Sequence, residues 1–110
     1  FFRAALEVYF SSDPAPGCFI MCTAPVEALA HPDVRHDLML VIDEIDDILE
    51  QRFEKARADK QFPKGGNTNA AAKLAQALLH SIALRARAGQ SKASLRKLAD
   101  GAVTTLCGAT

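Results

Sequence analysis

The sequence predicts an all-α helical bundle, and three observations carry that prediction. Apolar residues recur at three- and four-residue steps from Val34 to Phe53, the 3.6-residue period of an amphipathic helix. Periodic segments of this kind are separated by breaks rich in proline, glycine and asparagine, at Ser11–Gly17 and Gln61–Asn69. Nowhere does a run alternate β-branched with polar residues, and no hairpin signal appears.

About five helical segments follow from this pattern. Phe2, Leu6, Tyr9 and Phe10 fall at helical spacing and mark the end of a helix that closes before Ser11. Ser11–Gly17 (SSDPAPG) reads as a loop. A short second helix is expected from about Cys18 to Leu29. Its run Phe19, Ile20, Met21, Cys22 and Val26 is too continuous for a half-exposed helix, so it is expected to be mostly buried, with a kink or broken turn at Pro25.

Pro32 suits the first turn of a third helix, where its missing N–H costs nothing, and Asp33 and Asp37 suit the positive end. Val34, Leu38, Val41, Ile42, Ile45, Ile48, Leu49 and Phe53 form its apolar stripe. Asp43, Glu44, Asp46, Asp47, Glu50 and Glu54 lie opposite, and Lys55, Arg57 and Lys60 favour the negative end near Asp59. After the Gln61–Asn69 break, with Asn67, Thr68 or Asn69 as cap, a fourth helix is expected over Ala70–Ala88. Gly89 ends it and Ser91 caps a fifth, striped by Leu95, Leu98, Ala102 and Leu106.

Length and composition narrow the function. The chain has 110 residues, enough for one domain spanning residues 1–110. Apolar residues make up 49% and charged residues 24%, which excludes the disordered and collagen-like classes. Thirteen basic and thirteen acidic residues give no net charge, whereas a DNA-reading surface carries a basic excess that displaces counterions from phosphates. If the protein acts on DNA, the contact is therefore expected through another segment. The chain opens on Phe1 directly inside an amphipathic pattern, as a piece of a longer chain would. Three cysteines, Cys18, Cys22 and Cys107, fit a reducing, cytoplasmic setting better than a disulfide scaffold. No apolar run reaches bilayer length, so no membrane partner is expected.

The last two helices carry more apolar surface than one modest core consumes. Joined by Gly89-Gln90-Ser91, they form an antiparallel hairpin, and a second copy would complete a four-helix bundle about a two-fold axis. The expected homodimer interface is Leu74, Leu78, Leu79 and Ile82 on the first and Leu95, Leu98, Ala102 and Leu106 on the second. The alternative is a hairpin buried wholly within one subunit.

Several of these segments resemble the TetR family of transcriptional regulators. Gly17-Cys18-Phe19-Ile20 is similar to that family's entry to a mid-domain helix, and His31-Pro32-Asp33-Val34 to the start of its long helix. Ala56–Lys60 resembles the ending of that helix, with Asp59 and Lys60 in place of the usual small residue and glycine. Ala72–Ile82 looks like the penultimate helix and Arg85–Ser91 like the turn that follows it. The resemblance implies a C-terminal domain that holds a small-molecule pocket and dimerises through its last two helices. It also implies a separate three-helix DNA-binding head, to which no segment here corresponds. The implied activity is that of a ligand-responsive regulator, a repressor, which needs no cofactor.

Other chemistries fit less well. Asp43, Asp47 and Glu50 share a helical side and Asp33 with His36 has i, i+3 spacing, but a di-metal bundle needs inward acids and a second Glu-x-x-His pair; no metal is expected. Cys18 and Cys22 are four apart, yet with no basic neighbour they read as core or pocket lining. His31, His36 and His80 form no nucleophile constellation, and phosphate-loop, serine-elbow and zincin motifs are absent, so no catalytic residue and no enzyme is expected. A pocket for a small apolar or amphipathic effector is expected between the first three helices, lined by Tyr9, Phe19, Met21, Cys22 and Met39. The rival readings are a dimerisation module without ligand and a metal-binding bundle.

Overall fold

The computed structural model describes residues 1–10 and 19–108, apart from the side chains of residues 9 and 19–23. The expected loop Ser11–Gly17 and Cys18 lie outside those residues. The described chain is all-α, with five helices: α1 (Phe2–Tyr9), α2 (Phe19–Ala28), α3 (Pro32–Ala58), α4 (Thr68–Arg87) and α5 (Lys92–Leu106). It contains no strand among the described residues.

Local chemistry fixes the helix ends. Pro32 sits in the first turn of α3, with Asp33 beside it at the positive end of the helix. The Asn67 side chain accepts from the Ala70 N–H and the Ser91 side chain from the Ser94 N–H, giving α4 and α5 their N-caps. At the far end of α4, Gly89 takes φ 101°, and the Gln90 N–H returns to the Arg85 carbonyl at 3.0 Å. This is a Schellman closure, which needs a left-handed residue after the helix. The same closure ends α3, where the Gln61 N–H reaches the Ala56 carbonyl at 2.7 Å, but here the left-handed residue is Lys60 at φ 60°.

The α3–α4 connection is packed rather than loose. Phe62 is buried, its ring centroid 5.3 Å from that of Phe53. A side chain at Gly66 would run into the Phe62 ring and would have to displace it from its place beside Phe53. Arg57 donates to the Gly66 carbonyl at 3.2 Å and to the Glu54 carboxylate. Thr68 also donates to Glu54, and these two donors hold its carboxyl below the usual range.

Helix α4 is the centre of the molecule and touches all four others. Its buried side is made largely of small residues, Ala72, Ala75, Ala83 and Ala86, with Leu79 and Ile82 between them. Small side chains let neighbouring backbones come close, and Leu6 of α1 and Leu95 of α5 fill the space that remains. Salt bridges from Lys92 and Arg96 to Glu7 run across the α1–α5 contact. The Lys92 hydrogen bond, with its charge, lowers the Glu7 pKa.

The expectation of a mostly buried α2 falls chiefly on Phe19, Ile20, Met21 and Cys22, whose side chains lie outside the described residues. Helix α2 passes through Pro25 as one helix, and Val26, the described member of that apolar run, is 69% exposed. Leu29, just beyond, is 85% exposed, and among residues 24–29 only Ala28 is buried. The apolar stripe of α3 is only half covered, with Leu49 its one fully buried member. Both follow from shape. The Cα extents are 42 × 33 × 16 Å, a slab barely two helices thick, with a radius of gyration of 15.0 Å where a compact chain of this length has about 13 Å. The accessible surface is 7211 Å², against about 5,900 Å² for a compact monomer of 11.8 kDa.

Candidate functional site

Two surface features are candidates, and both arise from α4 and α5. The first is a shallow apolar groove on the outer face of the α4–α5 hairpin. Leu74 and Leu78 contribute from α4, and Leu98, Ala102 and Leu106 from α5. Leu74 is 60% exposed, an unusual setting for a leucine bracketed by buried alanines. Gly101 and Thr105 keep the α5 side of the groove low, and Arg85, Gln90, Ser94 and Lys97 form a polar end. Arg85 is tied there by hydrogen bonds to Ser81 and Gln90 at 3.0 and 3.3 Å.

Five of the eight residues expected at a dimer interface, Leu74, Leu78, Leu98, Ala102 and Leu106, thus meet in this groove. The other three do not. Leu79, Ile82 and Leu95 are turned inward, at 7%, 0% and 0% exposure, and belong to the subunit's own core. The physical reason is helical phase: on α4, positions 72, 75, 79, 82, 83 and 86 form one buried arc, and 74 and 78 lie on its flank.

The second feature is a cleft of about 580 Å³ between α3 and α5. The backbones of these two helices do not approach one another, so a gap opens beside α4, with Ala75 on its wall. Phe2 closes one side from α1, Leu49, Phe53 and Ala56 line it from α3, and Ala99, Val103 and Leu106 from α5. Cys107, a free thiol, lies at the α5 end. The charged groups on the cleft are Arg3, Arg52, Lys55, Asp59 and Asp100, of which Arg3 and Asp100 pair at 3.4 Å.

This cleft is not where the sequence placed a pocket. Met39 stands 50% exposed on the first half of α3, away from the cleft, which uses the last three turns of that helix. The side chains of Tyr9, Phe19, Met21 and Cys22 lie outside the described residues. The cleft's own residues carried one readable signal, the alternation of Leu49 and Phe53 with Arg52 and Lys55, an apolar wall with basic neighbours. Nothing local says that α5 would stand off from it.

A polar cluster lies across the α3–α4 contact. Gln76 is 3% exposed, and its side-chain amide donates to the Ile42 carbonyl at 2.9 Å and to the Asp46 carboxylate. His80, one turn on, is within 3.2 Å of the Gln76 side-chain oxygen. Burial lowers the His80 pKa, and the Asp46 charge partly opposes this. No buried side-chain polar atom among the described residues lacks a partner, so the cluster is a closed structural network.

Among the described residues, no three His, Cys, Asp or Glu side chains converge as a metal site, and no helix is long and apolar enough to cross a membrane. No protein-family model, curated protein or solved structure matches this chain.

Proposed function

We propose that this chain is the dimerisation and effector-binding domain of a ligand-responsive transcriptional regulator of the TetR type, acting on operator DNA only through a DNA-reading head outside these residues. The observation that carries the reading is the division of the α4–α5 hairpin. Its inner face, Ile82 and Leu95, fills the subunit core, and its outer face leaves Leu74, Leu78, Leu98 and Ala102 in an open apolar groove. Such a surface is covered when two hairpins pack as a four-helix bundle.

The α3–α5 cleft supplies the effector site, since ligands of helical bundles bind between helices in apolar cavities with a few polar anchors. It shares Leu106 with the dimer groove, and α5 forms a wall of both. A ligand that prefers one spacing of α3 and α5 therefore shifts the way two hairpins meet, by as much as its affinity differs between the two arrangements. In the regulator, that shift changes the separation of the paired reading heads and their fit to half-sites one helical turn apart.

Small-angle scattering of the dimer with and without a bound effector, paired with operator titration of the regulator, tests the reading. Both are expected to change together. An effector that saturates the cleft and leaves both unchanged contradicts it.

A further inference from the structure

The cleft's charges are unevenly placed. On the last turns of α3, Glu50 and Glu54 turn toward the start of α4, where Glu50 accepts from Asn69 at 3.3 Å and Glu54 from Thr68 and Arg57. The basic residues Arg52 and Lys55 lie on the cleft side, and no ion pair among the described residues includes either of them. Asp100 is paired with Arg3, and Asp59 is one turn beyond Lys55 at the end of α3. Even with Asp59 set against Lys55, no acid among the described residues is left to match the Arg52 guanidinium at the mouth of an apolar space. The negative end of α3 lies two turns past Arg52, and the helix dipole acts only over the last turn.

Resting on the effector-site reading above, we infer that the cleft takes a small amphipathic carboxylate, its tail against Phe2, Leu49 and Phe53 and its head at Arg52 with Lys55 beside it. A planar guanidinium offers paired N–H donors that match a carboxylate, and the aliphatic stem of Arg52 extends the apolar wall. A space of about 580 Å³ is within the range of small-molecule pockets. Ile48, 58% exposed beside Arg52 and Lys55, widens the apolar rim over which a tail can enter.

The test compares octanoate, octanol and octylamine, three ligands with one tail and different heads, by amide chemical-shift titration of the protein. Octanoate is expected to bind tightest, about threefold to fivefold over octanol, the effect of one partly exposed ion pair. Its shifts should centre on Leu49, Arg52, Val103 and Cys107. Arg52→Gln is expected to remove the advantage of octanoate over octanol, and an amide spectrum unchanged away from the cleft shows that the variant is folded. Val103→Trp, filling the cleft from a half-exposed position, is expected to block all three.

Octanol or octylamine binding as tightly as octanoate, or Arg52→Gln leaving octanoate unaffected, overturns the carboxylate inference and leaves the effector site standing. Shifts from none of the three at the cleft residues overturn both.

Discussion

Gln76 of α4 reaches across to Asp46 of α3 and donates to its carboxylate, with the Ile42 carbonyl as a second acceptor. One side chain thus satisfies two acceptors at the most extensive helix contact in the molecule. Replacing it by leucine, of similar size, leaves the partly buried Asp46 carboxylate and the His80 ring without their partner. Gln76→Leu is expected to cost about 1–3 kcal/mol, read as a lower midpoint in urea with an unchanged slope. An unchanged midpoint would show that water replaces the amide at no cost.

His80 gives this contact a pH dependence. Burial depresses its pKa below the ordinary value of 6.5, so the unfolded chain takes up a proton more readily than the folded one. Stability is therefore complete above about pH 6.5 and falls as the pH drops toward the depressed folded value. Asp46 faces the ring and limits the loss. Thermal melts between pH 7.5 and 5.5 should show a decline that His80→Gln flattens; a decline of equal slope in the variant would assign it elsewhere. The lowered Glu54 pKa acts in a separate, more acidic window, its contribution being lost as the pH falls below about 4.5.

Lys60 holds the left-handed position of a Schellman closure that favours glycine. Its side chain is exposed, so nothing is lost by removing it. Lys60→Gly is expected to raise stability by about 0.5–1 kcal/mol, the relief of left-handed strain less the entropy of a freer unfolded chain. The melting temperature checks this, and a lower one would mean that the lysine makes a contact that offsets its backbone strain.

The helices were legible because their signals are local. Pro32, Asn67, Gly89 and Ser91 mark ends through their own backbone and side-chain chemistry, and the observed ends fall within two residues of those expected. Burial was less legible. Of the apolar run of α2 only the Val26 side chain is described, and it stands in solvent with Leu29 just beyond, because a slab two helices thick has no third layer to receive them. On α4 the sequence shows a wide apolar arc, but only packing decides that Ile82 turns inward while Leu74 and Leu78 flank the groove. The cleft escaped the sequence for a related reason. It exists because α3 and α5 fail to meet, and that is a property of how both lie on α4.

The pairing of two hairpins through the groove is measurable with one pair of variants. Leu78 and Leu98 sit in it, whereas Leu84, 63% exposed on the same helix, lies outside. Sedimentation equilibrium at micromolar concentration is expected to give a dimer, twice the 11.8 kDa of one chain. Leu78→Glu with Leu98→Glu should give a folded monomer, by burying unpaired charge at the contact, and Leu84→Glu should stay dimeric. A folded monomer for the unmodified chain, or dimers that persist in the doubly substituted protein, would contradict the claim that two hairpins pair through this face.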